Sequence, residues 1–137
     1  MMIIIKILNV FLFIFLIIIF YFLNINMSSF FRFEVYVPVT HVEKVKEALS
    51  KAGAGKLGNY DSCMWMTKGE GQFRPLKGSN PFIGKLDEIE KVEEYKIECI
   101  VEKKLINEVI KAMRQSHPYE EPSFQYWPVY INDYKEQ

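Results

Sequence analysis

Two groupings in this sequence carry side chains able to do chemistry. The first is His117-Pro-Tyr-Glu-Glu-Pro122. An imidazole with carboxylates close by can bind a divalent metal or move a proton, so His117, Glu120 and Glu121 are the metal candidates, with the Tyr119 phenol beside them. The pattern falls short of a catalytic centre. Adjacent Glu120 and Glu121 point apart in an extended segment, a catalytic zinc usually has three protein ligands, and His41 is the only other histidine. The second grouping, Asn59-Tyr60-Asp61-Ser62-Cys63, collects an amide, a phenol, a carboxylate and a thiol at a loop-to-strand junction. Asn59, Tyr60, Asp61 and Cys63 can orient a polar ligand at a cleft; Asn and Asp at such places also serve turns. With His117, Tyr119, Glu120 and Glu121 they form the candidate ligand-binding set. A nucleophilic triad has no footing, since Cys63 has only His117 as a conceivable base.

Cys63 and Cys99 are the only cysteines and form no Cys-x-x-Cys pair, which removes zinc-knuckle and dithiol readings. Both are expected to be buried thiols in a reducing compartment. Gly53-Ala-Gly-Lys-Leu-Gly58 matches Gly-x-Gly-x-x-Gly by letter, but a dinucleotide site needs a strand before it and a helix after it. Here the order is reversed. The turn follows a helix C-terminus, whose dipole repels phosphate, so a cap and tight turn is the expectation.

The elements that must position these residues follow from periodicity. Phe31, Phe33, Val35 and Val37 alternate with Arg32, Glu34 and Tyr36, a strand closed by Pro38. Thr40 and Glu43 form a capping-box pattern ahead of a helical stripe of Val42, Val45, Leu49 and Ala52, with Gly53 as the left-handed cap. Cys63 to Thr67 reads as a strand. Gln72 to Leu76 reads as a second, short edge strand reached through Gly69-Glu-Gly71. Leu86 to Glu94 is ambiguous between helix and strand. Tyr95, Ile97, Cys99 and Val101 alternate as a further strand. Leu105, Ile106, Val109, Ile110 and Met113 mark a second helix, and Phe124 to Ile131 the last strand, with a fraying tail from Asn132. All seven glycines fall between Gly53 and Gly84, which marks a shaped loop system. The order predicts an α+β, ferredoxin-like βαββαβ domain, two helices on one face of an antiparallel sheet. The second and last strands are apolar on both sides (Trp65 against Met64 and Met66; Trp127 and Val129 against Phe124 and Tyr126), so the uncovered face is expected to pack on further copies of the chain.

Residues 1–26 stand apart as a hydrophobic leader with Lys6 as its single charge. The run is long enough for a membrane-spanning helix, which takes about 20 apolar residues, and it lacks a small-residue cleavage site after it. Two expectations stay open: a membrane anchor, or upstream sequence with translation starting at Met27 and a cytoplasmic domain over 27–137. In the chain as a whole, 17 Lys and Arg balance 17 Asp and Glu. No basic block is present, so nucleic acid is excluded as a partner.

Several longer motifs carry a family likeness: Phe33-x-Val-Tyr-Val-Pro38, Ala52-Gly-Ala-Gly-x-x-Gly-Asn-Tyr-Asp-x-Cys63, Gly69-x-Gly-x-Phe-x-Pro75, Gly78-Ser-Asn-Pro-Phe-Ile-Gly84, Glu94-x-x-x-Glu98 and His117-Pro-Tyr-Glu-Glu-Pro122. In this order, over Phe31 to Ile131, they resemble the PII/CutA-like domain of Nif-three-like proteins, in its free-standing form. The resemblance implies a ferredoxin-like subunit that assembles as a homotrimer, sheets inward and loops around the clefts. It implies no activity, because the parent family's dinuclear metal centre lies in flanking α/β domains rich in histidine. The functional expectation is a non-catalytic, oligomeric ligand-binding or regulatory module for a small anionic or metal ligand. Two alternatives remain: a metal-binding protein or metal-dependent hydrolase-related enzyme using His117 with Glu120 or Glu121, and a membrane-tethered interaction domain.

Overall fold

A computed structural model describes residues 2–25 and 28–131, with side chains over 10–22 and 28–131. The elements run α1 (Met2–Ile25), β1 (Phe30–Pro38), α2 (Val42–Lys51), β2 (Met64–Phe73), β3 (Glu90–Glu102), α3 (Ile106–Ser116) and β4 (Phe124–Val129), with single 3₁₀ turns at Val39–His41 and Lys103–Leu105. The expected starting Met27 and the tail from Asn132 lie outside the described residues.

The four strands form one antiparallel sheet in the order β2-β3-β1-β4. Phe33, Val35 and Val37 of β1 and Ile97, Cys99 and Val101 of β3 point to one face. There they meet Val42, Val45 and Leu49 of α2 and Ile106, Val109 and Met113 of α3, all buried. This is the ferredoxin-like arrangement: the period-2 pattern of the strands and the 3.6-period stripes of the helices converge on one core.

Gly53 caps α2 with φ 92°. The Thr40–Glu43 capping box does not form. Residues 39–41 tighten into a 3₁₀ turn, so His41 stands at the helix entrance without a side-chain cap, and the Thr40 hydroxyl lies 2.9 Å from His41 Nδ1 instead. A second correction concerns β2. It runs unbroken through Gly69-Glu-Gly71 to Phe73, where a separate strand from Gln72 was expected. Its backbone pairs with β3 as far as Phe73 opposite Glu90, and exposed ion pairs Lys68–Glu93 (3.1 Å) and Glu70–Lys91 (3.0 Å) lie across the two strands. Leu86 to Ile89 belongs to the connecting excursion, and β3 begins at Glu90.

The helix-free face differs from the greasy surface that the strand patterns suggested. Its centre is ionic: Arg32 bonds Glu98 (3.2 Å), Lys96 bonds Glu98 (3.2 Å), and Glu34 lies 3.8 Å from Lys96. Glu34 is only 8% exposed. Burial raises the Glu98 carboxyl's affinity for its proton, but bonds from Arg32 and Lys96 outweigh this and hold its pKa below the usual value. Trp65 and Trp127, both exposed, flank these charges from the two edge strands.

In α1, the side chains described from Val10 to Phe22 are all exposed and apolar. Among the described residues no helix is long and apolar enough to cross a membrane.

Candidate functional site

Pro118 decides where α3 ends. A residue before proline is pushed out of the helical region, and His117 is extended (ψ 138°) while its amide still bonds the Met113 carbonyl at 2.9 Å. The Ser116 hydroxyl donates to the carbonyls of Ala112 and Met113. The chain therefore leaves the helix abruptly and turns the His117 ring inward, where it is 7% exposed.

Both ring nitrogens are committed. The Tyr119 amide donates to Nδ1 at 3.1 Å, so Nε2 carries the proton and donates to the Tyr36 carbonyl at 2.9 Å. Burial lowers the His117 pKa and a charge on His41 lowers it further, against the opposing Tyr36 bond. A neutral imidazole locked this way braces the loop and has no lone pair left for a metal. Among the described residues no group of three His, Cys, Asp or Glu side chains is placed to hold a metal ion.

What the brace positions is Tyr119. Its hydroxyl donates to Glu94 Oε1 at 3.0 Å. Its ring packs against Phe73 and Phe82 at centroid distances of 5.9 and 6.2 Å and against His117 at 5.0 Å. Burial, then the charges of Glu94 and Glu90, push the phenol pKa well above its ordinary value. Glu120 Oε1 accepts the Asn80 amide at 2.9 Å, tying the His117 loop to the excursion. Between them lies a cavity of about 430 Å³, bounded by Tyr36, Gly71, Phe73, Phe82, Glu94 and Tyr119, with Glu120 and Glu121 at its lip. A side chain at residue 71 would collide with the Glu94 carboxylate, so Gly71 is what lets Glu94 lie over β2 into the cavity.

The Asn59–Cys63 grouping lies elsewhere. Leu57 and Tyr60 bond each other's backbone around Gly58-Asn59. The Cys63 amide bonds the Gly55 carbonyl, and the Gly55 amide the Ile100 carbonyl. This corner adjoins Cys99, whereas Glu94 lies five residues farther along β3, about 17 Å at the strand rise. One chain does not bring the two groupings together. The residues from Asn59 to Cys63 are exposed and build turns. Cys63 is a correction to the expected buried pair: it precedes an edge strand with one neighbour, and its thiol reaches only the Asp61 carbonyl, at 3.6 Å. Cys99 is buried as expected, its pKa pushed up by burial to about 12.

Glu94, Phe73, Phe82 and Tyr36 were not among the candidate site residues. Strand alternation held part of the signal, since Gly71 and Phe73 fall on the same face of β2. The contacts from Phe82 and Tyr119 are long-range and left none.

No family model matches the chain. Over 101 residues it is 50% identical to a protein of Halalkalibacterium halodurans named GTP cyclohydrolase 1 type 2 homolog, the match covering 74% of this chain and 27% of that one. The crystal structure of a Bacillus cereus protein related to NIF3 is 41% identical and superposes with a TM-score of 0.65, over 74% of this chain and 26% of that one. The chain carries the PII/CutA-like domain of the Nif-three-like family. It spans about a quarter of the length of the curated relatives it matches. Two solved structures show the PII/CutA fold beyond the Nif-three-like family. CutA1 from Ehrlichia chaffeensis superposes with a TM-score of 0.54 at 14% identity, over 80% of this chain and 89% of that one. GlnK from Bacillus subtilis does so with 0.51 at 18%, over 75% and 84%.

Proposed function

We propose that this Nif-three-like domain is a non-catalytic, ligand-binding regulatory module that assembles as a homotrimer, its helix-free sheet face turned inward and the Tyr119 cavity on the rim of that face. The observation that carries the non-catalytic part is His117: the imidazole packed on Tyr119 has both nitrogens tied to backbone. Neither thiol serves the cavity, Cys99 being buried with a raised pKa and Cys63 lying at the far corner. Supporting the assembly are Trp65 (67% exposed) and Trp127 (42% exposed) on the helix-free face, aromatic surface of the kind enriched at interfaces. The carboxylates around the cavity argue against the anionic ligand expected from the sequence. The free thiols fit a reducing, cytoplasmic compartment.

Light scattering of the purified chain is expected to give three copies, and Trp65→Asp a smaller species. A thermal-shift screen of small molecules is expected to yield hits that vanish in Tyr119→Ala. A wild-type monomer with no Tyr119-dependent hit refutes the proposal.

A further inference from the structure

We propose that the cavity beside Tyr119 takes a compact organic cation, an alkyl- or quaternary-ammonium group, seated against Phe73, Phe82 and Tyr119 with its charge toward Glu94. This rests on the ligand-binding reading above and adds the chemistry of the ligand.

Three observations select that class. The walls are aromatic: Phe73 and Phe82 pack on Tyr119 and Tyr36 closes the side, the surroundings in which a poorly hydrated cation gains from ring quadrupoles. The charged groups are all of one sign. Glu94, Glu120 and Glu121 line the cavity, with no Lys or Arg side chain among the lining residues, and Glu90 lies close enough to raise the Tyr119 pKa. Among the described residues none of these four carboxylates has an ion-pair partner, since the ionic contacts of the sheet go to Glu34, Glu70, Glu93, Glu98 and Glu102. Lys96, beside Tyr36 in the β1–β3 register, is held by Glu98 and Glu34. Finally, Tyr119 occupies only Oε1 of Glu94, and Oε2 lies over the bare Cα of Gly71. A carboxylate beside apolar walls attracts a cation more strongly than one in open water.

Competing classes fit worse. An anion meets three lining carboxylates and no lining Lys or Arg. A bare divalent metal needs several converging oxygen ligands, and the carboxylates do not converge. A volume of about 430 Å³ lies in the small-ligand range.

Isothermal titration of the full chain with three probes of one shape and different charge tests this: choline, the uncharged 3,3-dimethylbutan-1-ol and the anionic 3,3-dimethylbutanoate. Choline is expected to bind at least tenfold tighter than the alcohol, and the carboxylate not at all. Glu94→Gln should weaken choline about tenfold and leave the alcohol unchanged, while Phe73→Leu weakens both. Should Glu94→Gln fail to fold, the exposed pair Glu120→Gln and Glu121→Gln is expected to give a smaller, charge-selective loss. Equal or tighter binding of the alcohol or the carboxylate, abolished by Tyr119→Ala, overturns the cation and leaves the cavity reading standing. If none of the three binds, the proposal falls, and the broader screen above decides separately whether the cavity reading falls too.

Discussion

Replacing His117 by alanine removes a brace rather than a catalyst, and the two roles predict different pH behaviour. The substitution deprives the Tyr36 carbonyl and the Tyr119 amide of their partners at 2.9 and 3.1 Å. Each orphaned buried group costs about 1–3 kcal/mol, and water entering from the adjacent cavity recovers part of that, so a loss of about 2–4 kcal/mol is expected for His117→Ala. In the wild type, protonation at Nδ1 would set an N–H against the Tyr119 N–H and break that bond. Burial lowers the folded-state pKa, so the unfolded chain binds the proton more readily. Stability from this group is complete above the unfolded value of about 6.5 and is lost as pH falls through the window below it, by at most about 1.4 kcal/mol per pH unit. Urea unfolding followed by circular dichroism at pH 7.5 and 5.5, at fixed protein concentration, measures both effects. The gap between wild type and His117→Ala should narrow at the lower pH, with His117→Gln as a substitute if alanine does not fold. An unchanged gap at the two pH values, or a gap below about 0.5 kcal/mol, refutes the brace.

Two glycines should respond differently to alanine. At Gly55 (φ +73°) a Cβ would fall 2.6 Å from the Cys63 carbonyl oxygen, fixed backbone in a left-handed conformation, so Gly55→Ala should cost more than about 2 kcal/mol in urea unfolding. At Gly71 the obstacle is the movable end of Glu94; Gly71→Ala should cost under about 1 kcal/mol while displacing Glu94 from Tyr119 and shrinking the cavity. Thiol titration with an aromatic disulfide at pH 8 should label Cys63 rapidly and Cys99 only after unfolding, because Cys63 is exposed and Cys99 is buried with a pKa pushed up to about 12. Two fast thiols in the native protein would contradict the packing at Cys99.

Elements with one clear periodicity were legible in the sequence. Phe33, Val35 and Val37 mark β1, Val45 and Leu49 mark α2, and Val109 and Met113 mark α3; each pattern points at the core it occupies. Errors came where a local pattern had a long-range rival. Gly69-Glu-Gly71 looks like a turn, yet unbroken backbone pairing with β3 keeps it a strand, and the bare Gly71 leaves the space Glu94 needs. Thr40 and Glu43 spell a capping box, but the 3₁₀ turn moves the helix start past Thr40. At the cavity, Tyr119, Glu120 and Glu121 were found because they share a hexapeptide with His117. Their partners Glu94, Phe73 and Phe82 come from β2, β3 and the excursion, and only the fold assembles them.

The four ions between the two tryptophans also restrict which sequences this sheet tolerates. Arg32, Glu34, Lys96 and Glu98 cancel as a set, while losing any single one strands a charge in a place poorly reached by water. Drift at these positions therefore has to be concerted, by paired replacement or none. A relative that keeps three of the four and changes the last to an uncharged residue would be expected to carry a compensating change within reach of the survivor.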